Sequence, residues 1–270
     1  MIIHENYYKN VVITGASGGL GQAFFPLLKE CKKIFLIYNK NKPKIAHNQS
    51  NVIFLQVDFN KTEQVYNLIS ILQEEDIDLL VHCAGFGKFG TALSHSAEET
   101  ESIFNVNAMA PILITQALLG KIIKLAKEKN KRAGLIIVSS VVSLSSVPYL
   151  SIYAAAKSAI TSYGDALIEE LIEEPIDVLV SCPGSMQTSF AEKAGLHKSL
   201  VSNAPEPNDI ATEIFRSIGR KTFLIHGASN RKRIRDIRSL GRNSSRKYMA
   251  NLVKKAIIES IRLNNNVDII

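Results

Sequence analysis

Short apolar runs recur along the chain: NVVIT (10–14), IFLIY (34–38), VIFLQVD (52–58), IDLLVH (77–82), GLIIVSS (134–140), IDVLVS (176–181) and TFLIHG (222–227). Each is too short for an ordinary helix and dense in Val, Ile, Leu and Phe, as strands buried on both faces are. Between them the spacing changes. In TEQVYNLISILQEE (62–75), Val65, Leu68, Ile69 and Leu72 recur at helical intervals. Helices are also expected from the glycines after residue 14 to about Glu30, in the region ending near Lys129, and over 151–174. Strand and helix in alternation imply right-handed crossovers, hence a doubly wound, seven-stranded parallel sheet with helices on both faces. No internal repeat and no Pro/Gly-rich linker divides residues 1–225. The expected organisation is one α/β domain over 1–228, with a pocket-covering loop at 189–207 and a C-terminal extension over 229–270.

Composition adds little until charge is mapped. A hydrophobic share of 46% is ample for a core. The first ten residues lack the basic, apolar and small-residue regions of a signal peptide, and the three scattered cysteines fit a reduced, cytoplasmic protein. The six histidines show no metal-ligand spacing, so no metal is expected. From Ala133 to Ala156 there is no Asp, Glu, Lys or Arg, a run long enough to raise the question of a membrane span. It contains six serines and Pro148, which favour a strand followed by a loop. The net charge of +7 sits at one end: residues 226–270 hold 11 Lys/Arg and three acids, whereas residues 1–225 hold 21 and 22.

Ligands of such a sheet bind beyond the carboxyl ends of its strands, and the polar motifs stand there. TGASGGLG (14–21) follows the first strand and opens a helix. Its glycines let backbone approach a pyrophosphate, and the helix start offers unpaired N–H groups. The candidate nucleotide-loop residues are Gly15, Ser17, Gly18, Gly19, Leu20 and Gly21. Strand two ends in Tyr38 and Asn39 and is followed by Lys40, with no acid to take ribose hydroxyls. That favours NADP(H), with NAD(H) as the other candidate. Asp58 and Phe59 end strand three, and Cys83, Ala84 and Gly85 end strand four. Pro183, Gly184, Met186 and Thr188 follow strand six, where they could fix a nicotinamide carboxamide.

Four further positions carry candidate chemistry. Tyr153 and Lys157, four apart, share one helix face. A phenol of pKa ~10 is a weak acid–base catalyst near neutrality, and a nearby ammonium would lower that value. Ser140, ending strand five, could orient a carbonyl oxygen. Asn107, a mediocre helix former within a helical region, could hold a water at a kink.

Together these stretches resemble the short-chain dehydrogenase/reductase family over about residues 8–230. TGASGGLG is similar to its TGxxxGxG motif, CAG to the AG part of NNAG, and PGSMQT to its PG segment. The three-residue gap between the first glycines resembles the shorter oxidoreductase branch. The resemblance implies a Rossmann-type fold and hydride transfer between a nicotinamide cofactor and a carbonyl or alcohol substrate. It also implies Asn107, Ser140, Tyr153 and Lys157 as the catalytic set, and a homodimer or homotetramer is expected. One departure is His82-Cys83 where the family has Asn-Asn, which puts the bracing of that loop in question.

From Arg246 to Arg262, apolar Met249, Leu252, Val253, Ala256, Ile257 and Ile261 alternate with Lys254, Lys255 and Arg262, a basic amphipathic helix. Packing on its own domain or a second subunit is the first expectation and an anionic membrane surface the second. No nucleic-acid reading motif is present. Against the enzyme reading stands a nucleotide-binding scaffold that no longer turns over and acts through its basic tail.

Overall fold

A computed structural model describes residues 8–44 and 50–264. The last six positions of the expected extension lie outside the described residues.

Seven strands form one parallel sheet in the order β3-β2-β1-β4-β5-β6-β7. They are β1 (Asn10–Thr14), β2 (Lys33–Tyr38), β3 (Val52–Gln56), β4 (Leu79–His82), β5 (Ala133–Val138), β6 (Ile176–Cys182) and β7 (Phe223–Ile225). The order reverses between β1 and β4, which opens a crevice beyond their carboxyl ends. All seven expected strands are present. β3 stops at Gln56 and β7 at Ile225, although Val57 N–H still bonds the Tyr38 carbonyl at 2.8 Å and His226 N–H the Cys182 carbonyl at 3.4 Å.

The helices are α1 (Gly19–Phe24), α2 (Thr62–Gln73), α3 (Ala97–Phe104), α4 (Ala110–Glu128), α5 (Ser151–Glu170), α6 (Phe190–Lys193), α7 (Pro207–Ser217), α8 (Ala228–Ser239) and α9 (Arg242–Asn264). On one face of the sheet α2, α4 and α5 bury Leu68, Leu72, Ile114, Leu118 and Ile160 against Val12, Phe35 and Leu80. On the other, α1 and α7 bury Phe24, Ile210 and Ile214 against Ile13, Leu36 and Val81. Each such side chain contributes roughly 1.5–3 kcal/mol of burial, the term that fixes the sandwich. The span Ala97–Glu128 is long and apolar enough to cross a membrane by length and composition. Its Ile103, Ile114, Leu118 and Ile122 are buried within the fold. The uncharged stretch 133–156 is β5, a loop and the start of α5.

A third cluster joins the C-terminal extension to the domain. Ile234 and Ile237 of α8 and Met249 and Val253 of α9 are buried together with Val147, Leu150 and Tyr153. The tail's apolar stripe is therefore taken up within the chain, with Ile261 the exception at 55% exposed. Helix α8 has only two buried apolar positions among many bases, too few to reveal it as a periodic pattern.

Candidate active site

The strand ends are tied before they can hold anything. The Thr14 hydroxyl oxygen at the end of β1 accepts hydrogen bonds from the backbone N–H of Cys83 (3.1 Å) and Ala84 (3.2 Å), joining the first turn to the end of β4. Gly15 has φ 68°, and a Cβ there would lie 2.5 Å from the Ala84 Cα, so no other residue fits. A Cβ at Gly19 would lie 2.5 Å from Thr188 Cγ2. The glycine turn and the segment after β6 thus touch at Gly19 and Thr188, and both line the same cavity.

A cavity of about 270 Å³ starts at Gly18–Gly21, passes Cys83, Gly85, Pro183, Gly184, Met186 and Thr188, and reaches Ser140, Tyr153 and Lys157. Beyond them it is walled by Phe86, Phe89, Val141, Val142, Leu150, Phe190, Leu196 and Val201. One end is built of glycine and backbone, as a dinucleotide requires, and the other is apolar.

The four candidate catalytic residues converge at the joint between these halves. Ser140 leaves β5 in extended conformation and caps the next turn: its Oγ accepts from Val142 N–H at 3.3 Å. The same hydroxyl acts on the Tyr153 phenol in the direction that favours the phenolate. Burial opposes this and dominates, holding the Tyr153 phenol above its ordinary value. Lys157 is buried and donates from Nζ to the Val138 carbonyl at 2.9 Å. Burial pushes its ammonium down to about 8. Its Nζ lies 5.9 Å from the Tyr153 ring centroid. The expectation that this ammonium pulls the phenol pKa down is corrected: Ser140 is the group acting in that direction, and burial outweighs it.

Asn107 sits in a π-helical turn (Asn105–Met109) between α3 and α4, an irregularity that agrees with the kink expected there. Its Nδ2 donates to the carbonyls of Phe86 and Ile103, both at 2.8 Å, while its buried Oδ1 has no partner. A Cβ at Gly85 would lie 2.8 Å from that Oδ1 and 3.2 Å from Lys157 Nζ. The free acceptor and the ammonium therefore border the same small space beside the cavity. A cradle that any side chain would fill, with an orphaned acceptor next to a buried cation, fits a nicotinamide–ribose group.

The loop bearing Ser140 is held by hydroxyls. Ser143 Oγ donates to the Ser140 carbonyl (2.7 Å) and accepts from Thr161 (3.0 Å), Ser139 contacts Thr161 (2.5 Å), and Ser158 donates to the Ser143 carbonyl (2.9 Å). Ser139 and Ser143 of the uncharged run, with Ser158 and Thr161, bolt this loop to α5. His82 answers the bracing question: its Nε2 pairs with Thr115 of α4 at 2.8 Å. Burial, helped by the Lys157 charge, pushes its pKa to about 3, so the ring is neutral.

The outer wall comes from segment 189–201. Phe190 lies 5.5 Å from the Tyr153 ring between centroids, and Phe89 N–H bonds the Ala194 carbonyl at 2.9 Å. The backbone N–H of His197 donates to buried Ser260 of α9 at 2.7 Å, so the tail holds the wall from outside.

Not every expected cofactor residue lines the cavity. Gly15, Ser17 and Ala84 are not among its walls. Asn39, Lys40 and Asp58 lie at the ends of β2 and β3, where Asn39 Nδ2 reaches Asp58 Oδ1 at 3.5 Å. Asp58 also accepts from the Asn60 N–H at 3.0 Å, as a turn aspartate does. Phe59 is corrected to a core residue, its side chain buried with Val57, Val65 and Leu68. Thr14, Thr115, Ser143, Thr161 and Ser260 were not foreseen. Of these only Thr14 stood inside a recognised motif.

A family model described as short chain dehydrogenase matches residues 9–199. The dehydrogenase/reductase SDR family member 7B of Xenopus tropicalis is 28% identical over 250 residues, spanning 80% of this chain and 77% of its own. Two solved structures share the fold. A short-chain dehydrogenase from Burkholderia cenocepacia in complex with NADP has TM-score 0.74 at 18% identity, covering 92% of this chain and 99% of that one. One from Burkholderia phymatum in complex with NAD has TM-score 0.71 at 22% identity, covering 86% and 94%.

Proposed function

Because this chain belongs to the short-chain dehydrogenase/reductase family and is an NAD(P)-dependent oxidoreductase, we propose that it reduces ketones or aldehydes with NADPH. The observation that carries the reading is the convergence of Ser140, Tyr153, Lys157 and Asn107 where the glycine-walled groove meets an apolar chamber. The bound nicotinamide supplies the hydride. Ser140 and Tyr153 hydrogen-bond the substrate oxygen, and Tyr153 gives up its proton as that oxygen becomes an alkoxide. A phenol held protonated by burial suits that direction of reaction. Lys157 would orient the cofactor ribose and pass a proton back toward Tyr153, and the Asn107 acceptor would hold a water in that relay.

The preference for NADPH rests on Tyr38-Asn39-Lys40 in place of an acid after β2. Lys42 holds its ammonium over the Phe54 ring (4.2 Å), and Lys40 follows directly on the Tyr38-Asn39 end of β2. Following NADPH oxidation over a panel of aldehydes and ketones tests the reading, with NADH in parallel. Turnover with NADPH and its loss in Tyr153→Phe is the expected result. Tight NADPH binding with no turnover on any carbonyl would sink it.

A further inference from the structure

Helices α8 and α9 carry a surface that this chemistry does not use. Between residues 228 and 264 stand eleven Lys/Arg against two acids, and all eleven are exposed. Helix α9 turns Met249, Val253 and Ser260 into the domain. At 100° per residue, Lys247, Lys255 and Arg262 fall on the opposite side with Ile258 among them. Ile258 is 64% exposed, and Leu240, at the α8–α9 junction between Arg238 and Arg242, is 40% exposed. The apolar residues that dock the tail are thus distinct from a second set that faces out among cations.

We propose that this outward face docks the protein on an anionic lipid surface, and that the substrate is an apolar carbonyl compound carried in that bilayer. Cations meet headgroup phosphates, and isoleucine and leucine enter the acyl boundary. Nucleic acid would satisfy the charge and leave the exposed isoleucines without partners. The inner sides of the same helices back the chamber: Ile237 and Met249 share a cluster with Leu150, Phe86 and Phe190. Docking would therefore hold an apolar chamber close to the phase in which apolar ketones collect. The docking claim stands without the reductase reading, whereas the substrate claim rests on it.

Co-sedimentation of the full chain with phosphatidylcholine vesicles, with and without phosphatidylserine, tests the docking. Binding to the anionic vesicles only, reversed by high salt, is expected. The double variant Lys247→Glu/Lys255→Glu should weaken it at least about tenfold, and Ile258→Ser severalfold. No binding at physiological ionic strength, equal binding to neutral vesicles, or tighter binding of duplex DNA in competition would overturn it. For the substrate claim, the double variant should slow reduction of a vesicle-borne long-chain ketone and leave a water-soluble aldehyde unaffected. Equal rates on both overturn that claim. Vesicle binding with no NADPH oxidation on any carbonyl would instead sink the reductase reading while leaving the docking intact.

Discussion

The inner wall of the cavity, from Ser139 to Ser143, is fixed to α5 by a chain of short hydroxyl contacts. The outer wall, residues 189–201, meets the rest of the molecule through apolar side chains, backbone bonds and a side-chain link from His197 N–H to Ser260. Directional bonds between neutral groups set the inner wall to within a few tenths of an ångström and bring no charge into the reaction path. Apolar contact is non-directional, so the outer wall accepts changes of shape without disturbing the inner one. The proposed chemistry and the proposed substrate contacts thus rest on different kinds of force.

The sharpest way to break that division is at its centre. Tyr153→Phe removes the proton donor and leaves the ring, so turnover should fall about 10²–10⁴-fold while NADPH affinity, read by fluorescence, holds. If turnover survives, the inner wall is not the chemical one. A smaller effect should come from pH. Lys157 is charged below its lowered pKa of about 8 and loses that charge as pH rises through it. The Tyr153 phenol, raised by burial, stays protonated over the same range. The reduction rate should therefore fall by up to about tenfold per unit above pH 8, and a fall beginning only near ~10.4, the ordinary lysine value, would contradict the buried-ammonium geometry.

Thr115→Val deprives the neutral His82 ring of its partner. It should cost about 1–3 kcal/mol, seen as a melting temperature lower by several degrees with kcat little changed. An unchanged melting temperature would mean that the ring does not brace β4. The mildest change belongs to the outer wall. Ser260→Ala should raise KM by about two- to fivefold with kcat kept, and Ser260→Thr should restore part of it. A loss of kcat instead of KM would erase the distinction between the walls.

Most of the sheet was legible because a strand buried on both faces must be written almost wholly in Val, Ile, Leu and Phe. The candidate catalytic positions stand out for a related reason: polar residues at the ends of such strands contrast with them. What could not be read is what holds these residues. Thr115 and Thr161 look like ordinary helix residues, and their value lies in partners 33 and 18 positions away. The pKa expectation failed on the same ground, since spacing places Tyr153 and Lys157 on one face but says nothing of how deeply both are buried. The short loop after β3 misled in the other direction, for Phe59 follows a strand end as a ligand would, yet its ring serves the core.

The placement of α8 and α9 after every strand has a consequence for synthesis. Domains assemble from the N-terminal side as the ribosome delivers them. Once β6 and the Pro183-Gly184 turn have emerged, a nascent chain holds every strand end that borders the nucleotide groove. The wall around Tyr153 still waits for Ile234, Ile237, Met249 and Val253. A product cut short before α8 would retain the glycine-walled groove next to an unfinished chamber, with the apolar flank of Tyr153 open to water.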